Sequence, residues 1–195
     1  RKREAWRIHV IFRALLIQTS TVEKRIVMNL TQYLEKIASE FKTGRATEHS
    51  YRPYLKDLVE SLLPGITAIN EPKRIAAGAP DYVLTRNNIP VGFIEAKDLG
   101  DALDKTAKTN QLKRYREGLD NLILTDYVRF IFFRNDQIVA DLRLADVDDK
   151  GRIIFKEDVW NNFSELVKNF GSFTGQTIKS AEKLAQMMAA KARLL

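Results

Sequence analysis

The sequence predicts an α/β fold in which a mixed central sheet of about five strands is flanked by helices. Two observations carry this prediction. Apolar residues recur at helical spacing near both ends of the chain, whereas short apolar runs bounded by turn residues fill its middle. A chain of 195 residues with 45% hydrophobic and 29% charged residues can also bury one substantial core, so a folded domain is expected.

Two helices precede the first predicted strand. Residues 30–41 place their apolar side chains on one helical face, and a second helix is expected over residues 51–63. Pro53 suits the first turn of that second helix, and Pro64-Gly65 supplies its stop. Glu48 then lies at the entrance of the second helix.

The remaining elements alternate between strands and helices. Strands are expected at residues 66–70, 80–84, 91–97, 127–133 and 137–144. Helices are expected at residues 103–119, 159–170 and 177–195. The helix expected at residues 103–119 is rich in lysine and arginine. The last helix, at residues 177–195, has no stop signal.

The basic charge of the chain is concentrated at its start. The formal net charge is +7, but residues 1–27 hold seven Lys and Arg against two Glu, and the remaining 168 residues hold 25 basic and 23 acidic groups. Overall basicity is therefore weak support for nucleic-acid binding by the core. We expect a basic and not necessarily native extension at residues 1–27, a folded domain over 28–172, and a terminal helix at 173–195 that links to a further domain.

Several function classes are excluded by what the sequence lacks. Without cysteine there is neither a disulfide framework nor a thiolate zinc site, and two isolated histidines cannot form a zinc cluster. There is no glycine-rich phosphate loop and no Ser-His-Asp arrangement. The apolar stretch at residues 8–17 is too short for a membrane span and contains Arg13, so no membrane partner is expected. A cytoplasmic setting fits a chain without disulfides.

Two neighbouring predicted strands carry acidic and basic residues. Asp81 opens the first strand, and Glu95 and Lys97 emerge on one face of the second because strand side chains alternate. The turn-rich residues 85–90 allow a hairpin that brings Asp81 near Glu95. Two converging carboxylates repel each other unless a hard cation lies between them, so Mg²⁺ is the expected cofactor, with Mn²⁺ as a substitute.

Such a cation site indicates phosphodiester hydrolysis. A bound Mg²⁺ can polarise a phosphoryl oxygen and lower the pKa of a water molecule. Lys97 adds a positive charge that orients the nucleophile or stabilises charge in the transition state. The alternative is that Glu95 and Lys97 form an ordinary solvated strand face and Asp81 a turn residue. The apolar residues that flank all three favour the catalytic interpretation.

The motif residues resemble a known nuclease superfamily. Pro80-Asp81, Glu95-Ala96-Lys97, and Gln111 followed by Tyr115 are similar to the PD-(D/E)xK nucleases with their trailing Q-x-x-x-Y helix. Residues 28–195 more widely resemble the N-terminal nuclease region of single-chain, type I-like or type IIG restriction–modification enzymes. The resemblance implies a restriction-endonuclease-like core and a downstream adenine-specific DNA methyltransferase.

The resemblance also assigns roles to individual residues. It makes Asp81 and Glu95 metal ligands and the backbone carbonyl of Ala96 a further ligand. It makes Lys97 the residue that activates water or steadies the phosphate. Glu48 corresponds to an acid that some superfamily members bring from the first core helix, where it joins the metal shell or holds a water; a solvated helix-entrance acid is the alternative.

The predicted basic helix supplies further candidates. Gln111 lies four residues before Tyr115 on one helical face, from which its amide can reach the site while the ring packs below. Lys113, Arg114 and Arg116 are candidates for contacts with DNA phosphates, although a basic helix face is commonly only solvated. Arg52 is a weaker candidate for the same role.

The expected function is that of a Mg²⁺-dependent DNA endonuclease module of a restriction–modification enzyme. Its partners would be double-stranded DNA and, in the same polypeptide, methyltransferase and target-recognition domains. S-adenosylmethionine would be a cofactor only if that methyltransferase exists. Two alternatives stay open: a recombination or repair nuclease of the same fold, and an inactive DNA-binding or interaction domain. Metal dependence distinguishes a nuclease from a binding module.

Overall fold

A six-stranded mixed sheet forms the centre of the structure, a computed structural model that describes residues 30–75, 77–148 and 152–173. Its strands are β1 (Thr67–Asn70), β2 (Tyr82–Arg86), β3 (Ile89–Ala96), β4 (Asn121–Thr125), β5 (Arg129–Arg134) and β6 (Gln137–Arg143). They neighbour one another in chain order, with β3 and β4 parallel and the other pairs antiparallel. The sheet therefore has one strand more than the sequence predicts.

Helices cover both faces of this sheet. They are α1 (residues 30–42), α2 (Glu48–Leu62), α3 (Leu103–Thr106), α4 (Asn110–Gly118) and α5 (Trp160–Gly171), the last preceded by a 3₁₀ turn at Glu157–Val159. A separate two-stranded hairpin joins β7 (Ala145–Val147) to β8 (Ile153–Phe155). The predicted mixed α/β architecture is confirmed.

Alternation along the strands divides the core into two layers. Buried side chains of one layer pack with α1, α2 and α5, and among them are Tyr82, Leu84, Ile94 and Ala96. Those of the other layer pack with α3 and α4, and among them are Leu122, Leu124, Ile131 and Phe133. Because Ala96 belongs to the first layer, its neighbours Glu95 and Lys97 are directed to the side on which α4 lies.

The β2–β3 hairpin confirms the predicted approach of the two motif segments. Asn87 and Asn88 form its turn with φ angles of 51° and 63°, the left-handed conformation that a tight two-residue turn requires. Tyr82 pairs with Ile94 in the antiparallel register. Asp81, one residue earlier, therefore lies alongside Glu95.

The strand that the sequence prediction missed is β4. All five of its residues, Asn121–Thr125, are buried, and it pairs with β3 on one side and β5 on the other. A strand buried on both faces shows no alternation of polar and apolar residues, so periodicity gives no signal for it. The predicted count of about five strands is one below the six observed for this reason.

Two predicted helices have different bounds in the structure. The basic helix expected at residues 103–119 is interrupted, because Thr109 begins a new helix by accepting a hydrogen bond from the Leu112 N–H. Helix α2 begins at Glu48, so Pro53 lies in its second turn, not its first. Glu48 is thus a helical residue.

The ends of the chain lie largely outside the described residues. The predicted extension at residues 1–27 and the helix predicted at residues 177–195 fall there entirely, so both stay predictions. Within the described residues, every helix is too short or too polar to cross a membrane.

Candidate active site

Asp81 lies immediately before β2, and both oxygens of its carboxylate are held. The Ala96 N–H donates to Oδ2 at 2.8 Å, and Nη2 of Arg52 donates to Oδ1 at 2.6 Å. A carboxylate oxygen can accept two hydrogen bonds, so each oxygen keeps a lone pair in this arrangement. Asp81 is fixed in orientation and still able to bind a further group.

Glu95 is the most buried acid of the site, with 3% of its side chain exposed. Its Oε1 accepts hydrogen bonds from Nζ of Lys97 at 2.6 Å and from Nε2 of Gln111 at 3.1 Å. Its Oε2 is buried and has no hydrogen-bond partner. Burial, and then the negative charge of Asp81, raise the pKa of Glu95 to about 7 against the opposing effect of Lys97.

Lys97 lies on the same side of the sheet as Glu95, as strand alternation predicts. Its backbone N–H donates to the Thr125 carbonyl of β4 at 2.9 Å, which continues the parallel ladder past the end of β3. Burial alone would lower the pKa of Lys97, but the hydrogen bond and charge of Glu95, with the charge of Asp81, raise it. A charged ammonium donates hydrogen bonds and accepts none, so this geometry favours electrostatic stabilisation.

Helix α4 places Gln111 beside Glu95 and above the buried ring of Tyr115. Gln111 Nε2 lies 3.2 Å from the Tyr115 hydroxyl as well as within reach of Glu95. The Tyr115 ring packs on the loop before Pro80, where Gly78 has φ +136° and a Cβ would lie 2.5 Å from Cε1 of the ring. This contact joins the helix that carries Gln111 to the loop that leads into Asp81.

Glu48 is held at the first turn of α2 by three residues, two of them from outside that helix. Asp98, just beyond Lys97, accepts its N–H at 2.6 Å and so caps the helix. Tyr127 donates its hydroxyl to the Glu48 carbonyl at 2.7 Å. The Glu48 carboxylate accepts a hydrogen bond from Nη2 of Arg52, the same nitrogen that binds Asp81. The Arg52 guanidinium therefore brings Glu48 and Asp81 together.

The residue whose role the sequence prediction missed is Arg52. Only 8% of its side chain is exposed, and its guanidinium pairs with Glu48, with Asp81 and, at 2.8 Å, with Glu71. The sequence offered one signal for this cluster, the spacing of four between Glu48 and Arg52 on a predicted helix. The other two partners come from different elements, so the sequence alone could not indicate them. A buried arginine whose two Nη groups already bind three carboxylates is poorly placed for the DNA contact suggested for it.

The three candidates for phosphate contact differ in their surroundings. Arg116 pairs with Asp136 at 3.4 Å and lies over the Phe133 ring at 5.5 Å. Lys113 is exposed and lies 4.0 Å from Glu117, and Arg114 is exposed. Arg116 therefore has a packing role already, whereas Lys113 and Arg114 face solvent.

The residues present fit a hard divalent cation. The site holds four carboxylates and two cationic side chains: Glu48, Glu71, Asp81, Glu95, Arg52 and Lys97. When all are ionised, two negative charges remain, which one divalent cation would balance. The unpartnered Oε2 of Glu95 is a buried oxygen of the type that Mg²⁺ prefers.

Side chains alone would not complete the coordination shell. No group of three or more histidine or acidic side chains among the described residues could hold a metal ion. A ligand set built on Asp81 and Glu95 would therefore need backbone and water oxygens, and Mg²⁺ commonly keeps several waters. The Ala96 carbonyl, which follows Glu95 directly in the chain, is the candidate for the backbone ligand.

Comparison with protein families places the site within a matched region. The family described as type I restriction enzyme R protein N terminus matches residues 69–141, a little over a third of the chain. The match runs from β1 into β6 and includes Asp81, Glu95, Lys97 and Gln111. The central part of the chain, which contains the site, is therefore similar to a restriction-enzyme domain. No curated protein matches the sequence significantly.

A solved structure bears on the fold. A chain in the cryoEM structure of a DrdV–DNA complex matches with a TM-score of 0.60 and 20% sequence identity, covering 78% of this chain and 14% of that chain. At that identity the similarity concerns the fold, and the expected restriction-endonuclease-like core is confirmed. The matched region is a small part, 14%, of the chain in that solved structure.

Proposed function

We propose that this domain is a Mg²⁺-dependent DNA endonuclease module of a restriction–modification enzyme, which hydrolyses phosphodiester bonds of unmodified foreign DNA. One observation carries the proposal. A buried carboxylate oxygen of Glu95 has no partner, lies in the same acidic site as Asp81, and belongs to a residue paired with the ammonium of Lys97. A buried carboxylate oxygen without a hydrogen-bond partner is costly, and binding a cation there would offset that cost.

The cation would be held by Asp81, Glu95 and the Ala96 carbonyl. When bound, Mg²⁺ supplies a Lewis acid for the phosphoryl oxygen and lowers the pKa of water. Glu48 and Asp81 both bind Nη2 of Arg52, and from this position Glu48 could hold a water molecule at the edge of the site. Mn²⁺ is proposed as a substitute because it accepts the same oxygen ligands.

The residues of this chain would assist hydrolysis in two ways. Lys97 presents a charged donor that stabilises the negative charge developing on the phosphoryl oxygens. Gln111 keeps the Glu95 carboxylate in one orientation through Oε1. In the reaction, the oxygen of a water molecule forms the new bond to phosphorus and one of its protons passes to solvent. The bond from phosphorus to the leaving deoxyribose oxygen breaks, and that oxygen takes a proton from solvent.

The biological setting is part of the same proposal. Similarity to the N terminus of type I restriction enzyme R proteins supports a nuclease used with DNA modification. The matched chain comes from a structure described as a DNA complex, and double-stranded DNA is the proposed substrate here. A downstream methyltransferase with S-adenosylmethionine, and a separate target-recognition domain, are proposed for the parent polypeptide.

Plasmid cleavage tests the proposal. The 195-residue chain, and the full-length parent protein if the chain alone is inactive, would be incubated with supercoiled unmodified DNA with and without Mg²⁺. Asp81→Asn and Lys97→Met should each lower the Mg²⁺-dependent rate roughly 100-fold or more. Lys168→Met removes an exposed lysine of α5 that pairs with Glu165 and should leave cleavage unchanged.

The alternative domain classes give different results. A folded full-length protein that binds DNA with strong salt dependence, needs no divalent cation and never cuts would contradict the nuclease proposal and favour a binding module. Cleavage that persists at full rate in Asp81→Asn would instead place the reaction at another site.

A further inference from the structure

Arg52 joins three acids that come from three separate segments. Glu48 lies on its own helix α2, Glu71 follows β1, and Asp81 precedes β2. Nη2 binds Glu48 and Asp81, whereas Nη1 binds Glu71 at 2.8 Å. The planar fork of a guanidinium supplies donors at fixed angles, so it can hold several carboxylates in one relative arrangement.

The same residue is also tied to Asp81 through the backbone. The Tyr82 hydroxyl donates to the Arg52 carbonyl at 2.8 Å, one residue beyond the contact between Arg52 and Asp81. The Glu71 N–H donates to the Asp81 carbonyl at 2.8 Å. Arg52 therefore holds the Asp81 carboxylate directly, and its partner Glu71 holds the Asp81 carbonyl.

The environment of Arg52 indicates that this geometry matters more than charge balance alone. Its side chain is buried, and its Nε has no hydrogen-bond partner. Leaving a buried N–H unsatisfied costs free energy, which the three carboxylate contacts of the Nη groups offset. Helix α2 thus holds the Arg52 guanidinium in one orientation, directed toward the start of β2.

We propose that Arg52 is a positioning residue of the active site: it fixes the Asp81 carboxylate relative to Glu95 and thereby sets the affinity of the site for the divalent cation. This role rests on the proposed nuclease function. Asp81 Oδ2 is fixed by the Ala96 N–H, and Arg52 fixes Oδ1, so the plane of the carboxylate is set by two donors on opposite oxygens. Removing one donor frees the carboxylate to rotate.

Direct measurement of cation binding tests this role without relying on catalysis. Mn²⁺ binding to the 195-residue chain would be followed by electron paramagnetic resonance, with thermal unfolding recorded for every variant. Arg52→Lys is the decisive variant because it keeps the charge but replaces the fork with a single ammonium. A positioning role predicts that Arg52→Lys weakens Mn²⁺ affinity roughly 10- to 100-fold and lowers cleavage in parallel.

Arg129→Lys is the matched control. Arg129 is also paired with more than one acid, Asp104 and Asp141, and none of these three side chains contacts Asp81, Glu95 or Lys97. Its replacement should leave Mn²⁺ affinity unchanged, so an effect confined to Arg52 separates positioning from a general loss of stability. If Arg52→Lys fails to fold, Glu71→Gln tests the same connection through the exposed partner, with a smaller loss of affinity expected.

The outcomes separate this inference from the proposed function. A wild-type chain that binds Mn²⁺, with Arg52→Lys binding it equally well or more tightly, overturns the positioning role and leaves the nuclease proposal intact. A folded wild-type chain that binds no divalent cation overturns the proposed function, and the positioning role with it.

Discussion

Gln111 and Lys97 donate hydrogen bonds to the same oxygen of Glu95, Oε1, at 3.1 and 2.6 Å. One oxygen of this buried carboxylate is therefore doubly satisfied while the other, Oε2, has no partner. One donor lies on helix α4, and the other follows directly after β3, the strand that carries Glu95. This asymmetry leaves a defined free oxygen on Glu95, where the proposed cation would bind.

Replacing Gln111 should weaken catalysis without unfolding the domain. Gln111→Met keeps the side-chain size but removes the amide that orients Glu95, so Mg²⁺-dependent cleavage is expected to fall about 10- to 100-fold. The side chain is exposed, so the melting temperature should change little. Gln111→Glu should be more damaging, because it places a like charge beside Glu95. A Met variant that cuts at the wild-type rate would remove Gln111 from the site.

The stability of the cation-free domain should decrease as the pH rises. The pKa of Glu95 is raised from 4.5 to about 7 on folding, so its protonation favours the folded state. This contribution is fully present below pH 4.5 and is lost as the pH rises through 7. Thermal unfolding in a metal chelator should therefore show a midpoint several degrees lower at pH 8 than at pH 5.5, roughly 5 °C for a domain of this size.

Glu95→Gln and Mg²⁺ provide the controls for this pH dependence. The amide cannot ionise, so the variant should lose most of the decline between pH 5.5 and pH 8. Mg²⁺ should raise the wild-type midpoint more at pH 8 than at pH 5.5, because it binds the ionised carboxylate of the folded state. An equal decline in wild type and variant would assign the pH dependence to other groups.

Gly78→Ala should destabilise the contact between the loop and α4. The backbone at Gly78 has φ +136°, and a Cβ there would lie 2.5 Å from Cε1 of Tyr115. Strain and overlap together are expected to cost about 2 to 4 kcal/mol in the free energy of unfolding, measured by denaturant titration. Gly65→Ala is the comparison, since Gly65 has φ +81° and open space around it. That change should cost only about 1 kcal/mol; equal costs would mean that the Tyr115 contact contributes nothing.

Asn121 should be essential for joining α5 to the sheet. Its side-chain amide donates to the Val91 carbonyl at 2.8 Å and to the Phe170 carbonyl at 2.9 Å. Asn121→Ala would leave those carbonyls without that donor and open a small cavity, at an expected cost of about 2 to 4 kcal/mol in the free energy of unfolding. Asn162→Ala on the exposed face of α5 should change it by less than about 0.5 kcal/mol. Similar small effects in both variants would contradict this role.

The sequence predicts the hairpin and the convergence of its acids because both depend on local rules. Strand alternation places Glu95 and Lys97 together, and a turn of the correct length brings Asp81 alongside. The structure confirms that geometry. The binding of Mg²⁺ and the catalytic roles of these residues stay predictions.

The missed features depend on distant parts of the chain. Strand β4 is buried on both faces, so its residues carry no periodic signal until β3 and β5 are in place. Arg52 has its decisive partners, Glu71 and Asp81, in segments that meet α2 only in the folded domain. Sequence spacing reveals pairs within one helix or hairpin. It does not reveal an arginine that binds acids from three segments.

The parallel pairing of β3 with β4 has a consequence for the order of folding. Parallel neighbours cannot be joined by a tight turn, so the chain must pass through α3 and α4 before β4 can pair with β3, the strand that carries Glu95. Closing that crossover costs chain entropy, which makes it a slower step than forming the β2–β3 hairpin. The hairpin can bring Asp81 and Glu95 near each other early. The amide of Gln111 and the Thr125 carbonyl that anchors Lys97 join only when the crossover closes, so the complete site forms with the whole sheet and not before it.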